Sequence, residues 1–145
     1  TAEATHMQFF QQLVEFIGNH LMLVIAFLVV LTLLIITEGR RSGAALTTQQ
    51  ATALINKEDA LVLDIRPKKE FSTGHIVDSI NIPLDKLATR MSELDKHRER
   101  PILVVCNSGQ TAGACTKQLK TAGFNVARLA HGINGWKGDN LPLVK

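Results

Sequence analysis

An unbroken apolar block, LMLVIAFLVVLTLLII at residues 21–36, constrains this chain more than any other feature. It carries no charge, and thirteen of its sixteen residues are Leu, Val, Ile or Phe; the others are Met22, Ala26 and Thr32. Each such residue contributes roughly −0.3 to −0.6 kcal/mol to insertion near a bilayer centre, so the block as a whole favours lipid. At 1.5 Å per residue it spans roughly 24 Å, against a hydrocarbon core of roughly 30 Å. Phe16, Ile17, Gly18 and Thr37 close most of that gap, with Asn19 and His20 near one interface. A buried helix of a soluble core is a poor alternative, because no face is polar and the rest of the chain is too small to enclose it. A cleaved signal peptide needs a basic start and a small-residue cleavage site, whereas Glu15 precedes the block and Glu38-Gly39-Arg40-Arg41 follows it. The expectation is one retained transmembrane helix over residues 21–37.

Basic residues set its direction. Arg40 and Arg41 flank the C-terminal end while residues 7–20 contain no Lys or Arg, so the positive-inside rule puts everything downstream in the cytoplasm. Residues 7–20, with Phe9, Phe10, Leu13, Val14, Phe16 and Ile17, read as an amphipathic segment at the outer interface or as a helical continuation of the anchor. Residues 1–6 end in a His-Met junction and read as a cloning remnant ahead of Met7. Residues 38–46, with Ser42, Gly43 and two alanines, read as a linker. Residues 47–145 are then one domain, long enough for a single core.

A formal charge of +3, with acids and bases interspersed and no aromatic–basic patch, argues against nucleic acid as a partner. Two cysteines, Cys106 and Cys115, rule out a disulfide-dense scaffold. No Cys-x-x-Cys pair occurs and the five histidines are scattered, so no metal site is expected.

Within residues 47–145, Thr47 or Thr48 caps a helix running through Ala51, Leu54 and Ile55. Residues 60–65, ALVLDI, form an apolar strand that Pro67 stops. A helical turn follows and ends at Gly74, and a short strand fits 79–82. Residues 84–97 have helical spacing through Leu84, Leu87, Met91 and Leu94. Pro101 precedes the most apolar strand, ILVVC, and residues 111–122 read as a helix ended by Gly123. NVARLA is a last strand, followed by HGINGW and a tail. Strands alternating with helices on so short a chain predict an α/β domain with a mostly parallel sheet flanked by helices.

In such a sheet the ligand crevice lies beyond the carboxyl ends of the strands. Cys106 emerges there, followed by Asn107-Ser108-Gly109-Gln110-Thr111 and a helix. A strand–loop–helix of this kind points successive N–H groups into one concavity and stabilises an anion on the sulfur, which makes a nucleophile of it. An inert buried cysteine at a strand end is the competing reading, and position alone does not separate the two.

The run DIRPKKEFSTGHIVDSINIPL, residues 64–84, resembles the rhodanese pattern D-x-R-x-x-x-E-F/Y-x-x-G-H-I-x-x-S-x-N-I-P at nearly every defined position. The Cys106 loop lies where that family carries its active cysteine, and GINGW at 132–136 resembles its G-x-x-G-W signature. One anchor helix before one such domain is also similar to the YibN-type inner-membrane proteins of Gram-negative bacteria. The resemblance implies a sulfurtransferase with no metal or organic cofactor. Its cysteine takes a sulfane sulfur from a donor, holds it as a persulfide and passes it to a thiophilic acceptor. It also implies a single-pass protein of the bacterial inner membrane, in contact with the lipid bilayer and facing the cytoplasm, with room for a membrane-protein partner. Asp64, Arg66 and His75 match the first motif and are expected to brace the fold and the active loop. Glu70 reads first as a surface or helix-start carboxylate.

One departure matters. The family loop commonly has Arg directly after the cysteine and again at its end, where this chain has Asn107 and Thr111. Exchanging a charged contact for a neutral one forfeits on the order of 1–2 kcal/mol, so weak activity with thiosulfate is expected. A binding module with an incidental cysteine is the alternative. A rhodanese-related phosphatase would need a longer loop and a terminal Arg. Cys115 lies on a stripe with Ala112, Leu119 and Ala122, which favours packing over a role as resolving thiol for Cys106.

Overall fold

The apolar block does fold as a helix. The computed structural model describes residues 2–41 and 43–145, and the side chains of all these except 38–41. Thr1–Gly39 and Arg40–Lys145 form two separate units. In the first, α1 (Ala2–Asn19) and α2 (Leu21–Arg41) meet at His20. The pair is bent there by 92°. Neither helix by itself is long and apolar enough to cross a membrane; the bent pair meets that requirement of length and composition only when its arms are taken together. The helix expected over 21–37 is therefore seen as one arm of a bent pair. The uncharged run is too short, and Gly18, Asn19 and His20, needed to lengthen it, sit at the bend, while the other end runs on into Glu38, Arg40 and Arg41. α1 runs through Met7 without a break. No side chain in residues 2–37 is buried, and the large apolar ones of α2 other than the half-buried Val24 are exposed by 38% at Leu31 up to 83% at Met22.

The second unit contains, in chain order, β1 (Ala44–Leu46), α3 (Thr48–Glu58), β2 (Leu61–Asp64), α4 (Lys68–Thr73) and β3 (Ile80–Asn81). A mixed helical stretch holding α5 (Leu87–Arg90) follows, then β4 (Ile102–Val105), α6 (Ala112–Thr121), β5 (Val126–Leu129) and α7 (Gly132–Gly138). The strands form one sheet in the order β1-β5-β4-β2-β3, and every pair is parallel. β2 and β4 show no polar alternation because both their faces are covered. Leu61, Leu63, Ile102 and Val104 enter one core with Leu119 and Phe124; Val62, Leu103 and Val105 enter the other with Ile133 and Trp136. At about 1.5–3 kcal/mol for each fully buried aliphatic side chain, these two strands hold the domain together. Thr47 caps α3 through a reciprocal box, accepting from the Gln50 N–H while its own N–H donates to the Gln50 side chain.

Three expectations change. The linker over 38–46 ends in β1, which pairs with β5 at the sheet edge; Ser42 of that linker lies outside the described residues. Three small or aliphatic residues are too few to show a period, so only the partner strand reveals them. The helix expected over 84–97 is α-helical only at α5, between 3₁₀ turns at Leu84–Lys86 and Met91–His97. Leu87, in α5, and Leu94, in the second 3₁₀ turn, are both fully buried in the core that the sheet shares. Finally, HGINGW is helical as α7, where glycine content concealed the helix.

Candidate active site

β4 delivers Cys106 to the carboxyl end of the sheet, with the sulfur-bearing residue only 3% exposed. The Gly109 N–H donates to Cys106 Sγ at 2.9 Å. The loop can fold back this way only because Gly109 has φ +89°; a Cβ there would lie 2.0 Å from the Ala130 carbonyl oxygen. A floor from α7 fixes the loop from below. The Ile133 N–H donates to the Cys106 carbonyl at 2.8 Å and the Asn134 N–H to the Asn107 carbonyl at 3.0 Å. Gly132, at φ +55°, permits that approach: a Cβ would stand 2.2 Å from the Cys106 carbonyl oxygen.

Asn107, Ser108, Gln110 and Thr111 are exposed and line, with Cys106, a cleft of about 910 Å³. The opposite wall comes from Ile65, Arg66, Pro67, Lys68 and the 83–86 turn. Gly109, buried, supplies backbone only. Asn107 Nδ2 donates to Glu70 Oε2 at 2.6 Å. Glu70, read as a helix-start carboxylate, does sit in the first turn of α4, and its carboxylate also reaches the loop. No local pattern announces a contact across 37 positions.

Asp64 and Arg66 are brought together as a brace. Arg66 Nη2 stands 2.7 Å from Asp64 Oδ2, with side chains 3% and 1% exposed, and donates also to the Gly74 carbonyl at 2.8 Å. Asn81 Nδ2 donates to the carbonyls of both Asp64 and Arg66 at 2.9 Å. A buried pair so fully bonded is costly to break from one side, at about 3–5 kcal/mol. The Arg66 residue also lines the cleft, whereas His75 is not among the lining residues. The His75 ring stacks on Phe71 at 3.8 Å and its Nδ1 lies 3.0 Å from the Phe71 carbonyl. Its backbone pairs with Val144, tying the C-terminal segment to α4. Cys115 faces the core of α6, and burial first, then the neighbouring charge of Cys106, pushes its thiol up to about 12. Among the described residues no group of three or more His, Cys, Asp or Glu is placed to hold a metal ion.

Comparison with known proteins gives this arrangement a family. YibN of Escherichia coli (strain K12) is 39% identical over 140 residues, spanning 93% of this chain and 98% of its own. A sulfurtransferase of Allochromatium vinosum is 34% identical over 92 residues, covering 63% of this chain and 84% of its own. The crystal structure of a rhodanese-related protein from Thermoplasma volcanium superposes with a TM-score of 0.64 at 28% identity, covering 70% of this chain and 97% of that one. The family model of the rhodanese-like domain matches residues 47–139, from the cap of α3 to the end of α7. With four of its five parallel strands, its cysteine loop and the Asp64–Arg66 brace inside that span, the chain belongs to the rhodanese-like domain family.

Proposed function

We propose that this chain is a membrane-anchored sulfurtransferase or persulfide carrier of the bacterial inner membrane, with its rhodanese domain in the cytoplasm and Cys106 as the acceptor. The observation that carries the reading is the Gly109 N–H aimed at Cys106 Sγ where the sulfur meets an open cleft. An N–H donor there favours a thiolate, and equally the anion of a terminal persulfide. The thiolate attacks the sulfane sulfur of a donor, the donor's leaving group departs with the bond's electron pair, and the persulfide passes to a thiophilic acceptor. Asn107 and Thr111 bring no cation to the loop, so thiosulfate turns over slowly. The protein requires no metal or organic cofactor for this. The anchor reading rests on the exposed apolar surface of α1 and α2, which has no protein partner within the unit.

Mass spectrometry after incubation with a sulfane donor tests the reading: one added sulfur is expected on the native chain and none on Cys106→Ser. No adduct with any donor sinks it. The neutral loop favours a second reading, a docking module for another membrane protein, which that negative result would leave standing. For the anchor, the chain should stay in the membrane fraction after alkaline carbonate washing. A C-terminal alkaline phosphatase fusion should be inactive; an active fusion puts the domain outside.

A further inference from the structure

The cations missing from the loop have counterparts on the rim of the cleft. Lys68 and Lys86 line the same cleft as Cys106, and with Pro83 they also line a second cavity of about 370 Å³ that includes Phe71 and Arg90. The two spaces are therefore neighbours that share these three lining residues, Cys106 lining only the larger. Both lysines are exposed, and neither belongs to an ion pair among the described residues. Arg90 is held by Glu93 at 2.7 Å, so its charge is largely answered. Asp85 is the one carboxylate among the residues lining either space. Two lysines thus stand against one carboxylate, Asp85, among the lining residues; the loop brings no cation, its Asn107 is bonded to the Glu70 carboxylate, and Ile65, Pro67, Pro83 and Leu84 are apolar.

A small inorganic sulfane anion places its charge beside the sulfur being transferred, where this loop offers no cation. A donor suited to the cleft is larger and carries its charge elsewhere. Resting on the sulfurtransferase reading, we infer that Lys68 and Lys86 form an anion subsite for a peptide-sized organic persulfide whose carboxylates lie well away from its sulfane sulfur. The transfer is R–S–SH + Cys106–S⁻ → Cys106–S–SH + R–S⁻. A new S–S bond forms at Cys106, the donor S–S bond breaks, and its electron pair leaves on R–S⁻; the proton stays on the transferred sulfur and there is no net redox change. The lysines hold the carboxylates of R and take no part in the bond exchange.

The test uses the full-length chain in detergent and two probes, glutathione persulfide and the persulfide of glutathione diethyl ester, with sulfur uptake at Cys106 followed by mass. The acid should load about fivefold to tenfold more efficiently than the ester at low salt, as two exposed charge contacts allow. Lys68→Gln/Lys86→Gln should bring the ratio of acid to ester loading down to about one. Equal loading of acid and ester, or a double variant that slows both alike, overturns the subsite while the sulfurtransferase reading stands. Should Cys106 take sulfur from no donor, the sulfurtransferase reading falls, and calorimetric titration of Cys106→Ser with S-methylglutathione decides the subsite alone. Saturable binding weakened in the double variant keeps it, and absence of binding removes it.

Discussion

Cys106 and Cys115 belong to the same buried cluster and are almost equally hidden, at 3% and 0% exposure. One sits at the tip of a strand with an N–H on its sulfur and a cleft in front of it; the other sits inside a helix with hydrocarbon around it. Burial alone raises the cost of a thiolate, and Cys115 shows this in full. At Cys106 the backbone supplies a donor in place of water. The structural difference between the two cysteines lies in the turn that follows Cys106, and that turn depends on Gly109.

The sharpest way to break the comparison is alkylation. Iodoacetamide at neutral pH should modify Cys106 at least about a thousandfold faster than Cys115, read by peptide mapping, because Cys115 is both occluded and protonated. Similar rates would end the distinction. Next in size, Gly109→Ala drives a methyl group toward the Ala130 carbonyl oxygen. The variant should lose about 3 kcal/mol in denaturant unfolding and should lose sulfur uptake at Cys106. A fully active, fully stable variant would mean the loop does not need this fold.

A third effect belongs to Cys115 alone. Its thiol is raised in the folded state from the ordinary 9.0 to about 12, so the folded protein holds a proton that the unfolded chain releases. Stability is intact below pH 9 and falls as pH climbs toward 12, at up to about 1.4 kcal/mol per pH unit. Cys115→Ala should flatten that slope in pH-dependent melts. The smallest effect sharpens the Cys106 side. Asn107→Arg would set a guanidinium against Glu70, which already accepts from Asn107, and beside the sulfur. Thiosulfate turnover should rise about fivefold, the worth of one charged contact, while alkylation of Cys115 stays unchanged.

What the chain's letters disclosed divides along similar lines. The buried strands were readable because ALVLDI and ILVVC lack polar alternation, and the start of α3 because Thr47 or Thr48 precedes a helical run, the Gln50 partner singling out Thr47 only in the structure. Cys106 followed from its place after such a strand. The elements that escaped are those defined by distant partners. β1 exists by pairing with β5, with Ala44 opposite Ala127. Glu70 matters through Asn107, and GINGW through the carbonyls of Cys106 and Asn107. The asparagine and threonine of the loop were legible as missing cations, whereas the lysines that stand on the rim became visible only when α4 and the 83–86 turn met across the cleft.

The floor beneath the loop also orders events during synthesis. Cys106 leaves the ribosome well before Ile133 and Asn134, the residues whose N–H groups fix its carbonyl and that of Asn107. β1 waits as long for β5, and contacts this far apart in sequence are among the last to form. Until α7 has been made, the nascent chain carries an ordinary thiol on an unfinished loop. On the sulfurtransferase reading proposed above, chains interrupted before Gly132 should therefore fail to acquire sulfur, because the loop is completed only once its scaffold has closed.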